Sequence, residues 1–185
     1  MRYDNVGDCK TSTWDNVKTC SVNIEIDEDI NETVFFYYEL HNYYQNHRRY
    51  VKSKSQDQLS GEDLSKSELD DCEPVLTYDD LGFNPTGTSL DEAAYPCGLI
   101  AKSYFNDTYT MTGPLGTVDI DDTDIAWKSD IDKKFEKIEG KPTWQDVTDE
   151  HFIVWMRVSG LPNFRKLWGR IRDGLPKGTL SLIHI

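Results

Sequence analysis

The sequence predicts a mainly β protein, an antiparallel β-sandwich of jelly-roll type with long disulfide-closed loops and a few short helices. Three observations carry that expectation. Aromatic residues make up 12% of the chain, with ten Tyr and five Trp; Ala is scarce while Gly, Asn, Asp and Thr are common, a balance that favours strands and turns. Val34, Phe36, Tyr38 and Leu40 alternate with Phe35, Tyr37, Glu39 and His41, the period of a strand with both faces at least partly covered. Apolar runs near the end, HFIVWMRV, NFRKLWGRI and TLSLIHI, are separated by SGLP and RDGLPKG, which have turn compositions.

At 185 residues the chain fits a single domain, 1–185, that buries about two-thirds of its unfolded surface. Lys and Arg total 20 against 33 Asp and Glu, a net charge of -13. That balance argues against nucleic acid or an anionic membrane as a direct electrostatic partner, because both reward a basic face. No run approaches the roughly eighteen apolar residues of a membrane helix, and the start does not read as a signal peptide.

Along the chain, Cys9 and Cys20 lie in a polar opening segment, followed by SVNIEID, whose Val22, Ile24 and Ile26 alternate as in a strand. Val51 to Asp71 is hydrophilic and reads as a surface connection with a short helical piece at Ser65 to Asp70. Cys72 and Cys97 flank a long loop rich in Gly, Pro, Asp and Thr. GLIAKSYF fits a short helix or a buried strand equally well. The acidic VDIDDTDI departs from a calcium loop, since Asp124 stands where the sharp turn wants glycine, and it reads as a solvated turn. Asp132 to Ile138 has the pattern of one or two helical turns. HFIVWMRV reads as the first of three consecutive strands, with Phe152, Val154 and Met156 on one face.

Four cysteines allow three pairings. Joining Cys9 to Cys20 and Cys72 to Cys97 closes the shortest loops, and neither spacing is that of a zinc or redox motif. Structural disulfides imply an oxidising compartment. Asn31-Glu32-Thr33 and Asn106-Asp107-Thr108 match the glycosylation acceptor pattern, Asn106 being the better candidate. Tyr44, Asn46, His47, Arg48 and Arg49 gather guanidinium groups beside rings, which suits bidentate capture of carboxylates and stacking. In so acidic a chain, internal carboxylates compete for those arginines.

The run YYELHNYYQNHRRYVKS, then YPCGLIAKSYFNDTY, IAWKSD and HFIVWMRVSGLPNFRKLWGRI, resembles the cell-division-cycle-fifty (ligand-effect modulator) family, in that family's order. Its members are the non-catalytic beta subunits of phospholipid flippases, the type-four P-type ATPases. The resemblance implies an exoplasmic ectodomain, facing the lumen or cell exterior, of a protein anchored by a membrane helix on either side. It further implies that Met1 is an added start, that relatives continue through more ectodomain beyond Ile185, and that the two loop-local disulfides form. It implies an ATPase catalytic subunit as partner, with phospholipid handled only through that partner. The Tyr44 to Arg49 cluster would then serve the inter-sheet core or the contact with the ATPase.

Two other classes stand beside that reading. Catalysis has no motif behind it: HExxH, GxSxG and Gly-rich phosphate loops are missing from the sequence, so no catalytic residue, cofactor or metal is expected. An extracellular carbohydrate-binding β-sandwich would use exposed rings to stack on sugars, although Trp127, Trp144, Trp155 and Trp168 sit in apolar patterns that point to core.

Overall fold

In a computed structural model, residues 19–85 and 87–184 are described. The mainly β expectation holds. Among the described residues, six strands form a sheet of four and a separate ribbon of two, and every helix spans seven residues or fewer. The chain divides into two compact units: residues 1–36, 106–122 and 168–185, and residues 37–105 and 123–167. The ribbon strands β2 (Val34–Leu40) and β5 (Phe164–Ile171) each contribute residues to both.

The first unit holds the four-stranded sheet of β1 (Cys20–Ile26), β3 (Tyr109–Gly113), β4 (Gly116–Val118) and β6 (Gly178–His184). All its pairs are antiparallel, with Val22 opposite Leu182, Ile24 opposite Leu180 and Met111 opposite Leu182. The alternation seen in SVNIEID is therefore a true strand signal, with Cys20 and Val22 buried and Ser21 and Asn23 outward. TLSLIHI is the inner strand β6, flanked on both sides, so the described edges of this sheet are β1 and β4. Phe36, Tyr109 and Trp168 form an edge-to-face cluster with centroids 5.1 to 5.8 Å apart, the geometry that ring quadrupoles favour.

The second unit holds six short helices: α1 (Arg48–Lys52), α2 (Gln56–Leu59), α3 (Tyr78–Leu81), α4 (Leu99–Lys102), α5 (Lys128–Lys134) and α6 (Glu150–Met156). HFIVWMRV is therefore not a strand. The Asp149 carboxylate accepts the His151 amide at 2.9 Å and caps α6, and Phe152, Ile153, Trp155 and Met156 are all buried. Their spacing fits one helical face as well as two strand faces; the cap decides between them. GLIAKSYF takes its helical alternative in α4. The helix expected from Asp132 to Ile138 starts earlier, at Lys128, and ends at Lys134, beyond which Phe135 is extended.

Val51 to Asp71 is more than a surface connection, because Ser53, Gln58, Leu59 and Leu69 are buried in it. Gln58 donates from Nε2 to the Ala94 carbonyl at 3.0 Å and accepts the Cys97 amide at 3.0 Å. Ser53 donates to the Cys72 carbonyl at 2.9 Å and accepts the Leu99 amide at 2.8 Å. Gly98, at φ 101°, is required where this backbone crosses, since a Cβ there would overlap the Ser53 carbonyl oxygen. The helical piece expected at Ser65 to Asp70 appears as two tight turns, Lys66–Glu68 and Asp70–Cys72.

Cys72 and Cys97 are bridged, as the loop-local pairing requires. The loop between them is not loose. Leu69, Val75, Leu76, Tyr78, Leu81 and Ala94 pack around the disulfide as a miniature core, with α3 capped by Thr77. Cys20 is disulfide-bonded, while Cys9, its expected partner, lies outside the described residues. On β2, Phe35 and Tyr37 are half-exposed while Tyr38 is buried, so one face is covered far more fully than the other.

Replacing both Cys72 and Cys97 by Ala should cost about 3 kcal/mol, the value expected for releasing a loop of this length. Hydrogen exchange should report the loss first at the amides of Leu76 to Ala94. Unchanged urea unfolding and unchanged exchange there would contradict the role of the bridge.

Candidate functional site

Tyr44, Asn46, His47, Arg48 and Arg49 are all exposed. The segment leading into them is zipped onto the turn after α6. The Asn42 amide donates to Asn163 Oδ1, the Tyr43 amide to the Pro162 carbonyl and Asn46 Nδ2 to the Gly160 carbonyl, each at 2.9 Å. Gln45, buried, accepts the Ser159 amide at 2.9 Å. Tyr43 turns inward, edge-to-face with Trp155 at 5.6 Å and with Phe164 at 6.2 Å. Tyr44 turns outward, 59% exposed.

No internal carboxylate among the described residues claims the two arginines. Among the described residues, neither the Arg48 nor the Arg49 side chain has a hydrogen bond or an ion pair. The cluster is thus a surface feature and not inter-sheet core. Both sequons are also at the surface, Asn31 before β2 and Asn106 before β3.

A second constellation in this unit escaped sequence reading. At the start of α6, the Glu150 carboxylate accepts the Asp124 amide at 2.9 Å and the Ala126 amide at 2.8 Å. These two bonds hold the chain that enters α5 and fix Trp127 at its N-cap, where the ring is 65% exposed. Trp127, expected in the core, is instead the most exposed of the four tryptophans read as core. Trp155 and Trp168 are buried and Trp144 partly so.

One turn into α5, Asp130 is buried. It accepts Lys134 Nζ at 2.6 Å and Arg157 Nε at 3.1 Å, with Arg157 Nη2 3.0 Å away. Burial alone would raise its carboxyl pKa; the hydrogen bonds and charges of Lys134 and Arg157 outweigh it and hold the group below the usual range. Asp130 in turn aims Arg157, whose guanidinium carbon lies 4.9 Å from the centre of the Trp127 ring, within cation–π range.

Lys166, on β5, reaches the C-terminal end of α6. Its Nζ donates to the carbonyls of Val154 at 2.9 Å, Trp155 at 3.4 Å and Arg157, satisfying groups that a helix end leaves open and meeting the negative end of its dipole. Burial first and the Arg157 charge second push its ammonium pKa down to about 8.

Trp127, Asp130, Arg157 and Lys166 line an open cleft of about 350 Å3 with Ile125, Ile153 and Val158. The signals were local and easily misread. DEHF carries a helix start, which makes Arg157 a helix-end residue and not a strand residue. Asp130 looked like one more solvated acid.

The arrangement offers positive charge beside rings. Among the described residues, no group of His, Cys, Asp and Glu could hold a metal ion, and no helix is long and apolar enough to cross a membrane.

Comparison with known proteins finds that the sequence profile of the LEM3 (ligand-effect modulator 3) family / CDC50 family matches residues 2–185. The chain is 37% identical over 186 residues to ALA-interacting subunit 3 of Arabidopsis thaliana, covering 92% of this chain and 49% of that relative. It is 35% identical over 187 residues to the phospholipid-transporting ATPase accessory subunit CRF1 of Saccharomyces cerevisiae, covering 87% and 45%. With cell cycle control protein 50A of Bos taurus it shares 34% over 183 residues, covering 80% and 47%. The chain spans about half the length of the curated relatives it matches.

Asp130→Asn should lower stability at pH 7 by about 2 kcal/mol, discounted from the cost of breaking a fully buried pair because Arg157 is half exposed. The depressed carboxyl pKa gives the sign: the contribution is complete above the ordinary carboxylate range and disappears as pH falls through the folded pKa. Urea unfolding of both proteins at pH 7, 5 and 3 should show the difference shrinking with acid.

Proposed function

The chain belongs to the LEM3 / CDC50 family, and from that premise we propose that it is the exoplasmic ectodomain of a non-catalytic accessory subunit of a phospholipid flippase. It binds the outer face of a type-four P-type ATPase and supports that enzyme's folding, exit from the endoplasmic reticulum and transport of aminophospholipids. The ATPase carries the chemistry and handles the phospholipid. The full protein is membrane-anchored, with this domain on the lumenal or extracellular side.

One observation carries the reading: a relative matched along nearly all of this chain is named as an accessory subunit of a phospholipid-transporting ATPase. The exposed Tyr44, Asn46, His47, Arg48 and Arg49 support it as a docking surface, since Tyr and Arg are the residue types that anchor protein interfaces. Two guanidinium groups without hydrogen-bond or ion-pair partners among the described residues can form bidentate, charge-assisted bonds with a partner's carboxylates. The disulfides, Cys72–Cys97 and the Cys9–Cys20 pair, and glycans on the exposed Asn106 and Asn31 fit an oxidising, exoplasmic setting.

The exposed Trp127 ring favours a second reading, a carbohydrate-binding module, in which the ring stacks on a sugar. Arg157 occupies one face of that ring, which leaves a single face for such a ligand. Binding to a glycan array that Trp127→Ala abolishes would select this reading.

Replacing Arg48 and Arg49 together by Ala should leave the melting temperature within about 2 °C, as expected for surface changes, while lowering co-purification of the full-length protein with its ATPase. Equal recovery of the ATPase would remove the docking role. On expression in the secretory pathway, Asn106→Gln should run lower than the wild type by one glycan's mass before glycosidase treatment and level with it afterwards; equal migration before treatment would mean that Asn106 is unmodified.

A further inference from the structure

The cleft beside Trp127 is electropositive in a chain of net charge -13. Three cations line it, Arg157, Arg165 and Lys166, against the single carboxylate of Asp130. Asp130 is already shared between Lys134 and Arg157. Lys166 spends its hydrogens on α6 carbonyls, which neutralise no charge. Arg165 is exposed, its guanidinium carbon 5.0 Å from the Tyr37 ring centre, with no hydrogen bond or ion pair among the described residues. The depressed pKa of Lys166, in which the Arg157 charge has a share, is a sign of the same excess of positive charge.

Apolar surface adjoins the charge. Ile153 and Val158 line the cleft, and the free face of Trp127 stands at its edge. Ser159, also lining it, is the residue whose amide Gln45 holds, so the cleft and the Tyr44 to Arg49 segment share one support. A Trp and two Arg around a small apolar floor are the composition of an interface hot spot.

We infer that this cleft receives an Asp or Glu side chain from an exposed loop of a partner protein, its carboxylate taken by the Arg157 and Arg165 guanidinium groups and an apolar neighbour resting on Trp127. The Arg165 fork matches a carboxylate in geometry as well as charge, and Arg157, whose Nε and Nη2 face Asp130, adds its remaining N–H groups. A neutral sugar has no need of two arginines. An anionic membrane would repel a chain this acidic before a single cleft could engage it. The accessory-subunit reading supplies only the identity of the partner, an ATPase outer loop; the chemistry of the cleft stands without it.

The test uses the full-length protein co-expressed with a phospholipid-transporting ATPase of the same organism, as wild type, Arg165→Glu, Trp127→Ala and Arg165→Lys. Arg165→Glu and Trp127→Ala should each lower recovered ATPase by about tenfold, the scale of a hot-spot residue, with melting temperatures near that of the wild type and partial recovery in Arg165→Lys. Normal recovery with both variants, beside a wild type that assembles, overturns the cleft and leaves the accessory-subunit reading intact.

If the wild type itself captures no ATPase, that reading fails, and the cleft is judged on an immobilised Gly-Leu-Asp-Glu-Leu-Gly peptide. Salt-sensitive binding that Arg165→Glu abolishes supports it; no binding overturns it. Capture by phosphatidylserine vesicles that Arg165→Glu abolishes, without peptide binding, also overturns it and assigns the cleft to lipid.

Discussion

The second unit depends on a single requirement, that the backbone of an irregular, disulfide-closed segment find hydrogen-bond partners once it is buried. An unpaired buried amide or carbonyl costs about as much as the net worth of several good hydrogen bonds, and helices of four residues satisfy few of their own groups. Gln58 and Ser53 supply what the segment lacks, each donating to one carbonyl and accepting one amide. The disulfide closes the loop; these two side chains make its interior tolerable. Around them Leu69, Val75, Tyr78 and Leu81 can exclude water.

The same economy of short elements shapes the exposed surface. Glu150 holds two amides so that Trp127 begins α5, Asp130 aims Arg157 at that ring, and Lys166 closes the end of α6. Each of these polar groups satisfies backbone or charge from another part of the chain. The result is a cluster of cationic groups and rings held in place by hydrogen bonds from distant parts of the chain. Among the described residues, Arg48, Arg49 and Arg165 face solvent with no carboxylate partner, although the chain carries 33 carboxylates.

Much of this was legible in one dimension. The alternation in SVNIEID and in VFFYYEL describes real strands, and TLSLIHI is one as well. HFIVWMRV misled because β-branched and aromatic residues at consecutive positions satisfy a strand pattern and a buried helix face alike; the Asp149 cap was the discriminating signal. Val51 to Asp71 looked solvated because its buried members are polar, and Gln58 goes inside only because the Ala94 carbonyl and Cys97 amide wait there. Trp127 sat in an apolar run, yet its neighbours Ile125 and Asp130 took the buried places.

By itself the sequence determined the mainly β class, the candidate disulfide-closed loop, the grouping of rings and cations from Tyr44 to Arg49 and the family, because composition, short-range periodicity and ordered blocks of residues are properties of the chain alone. Tertiary structure decided which faces are wet, where polar side chains are buried, and that Trp127, Asp130, Arg157 and Arg165 meet at one cleft. Those outcomes depend on pairing groups as far apart in sequence as Asp130 from Arg157 or Gln45 from Ser159. No local pattern encodes such a pairing, since its energy exists only once the intervening chain has folded back and water has been excluded.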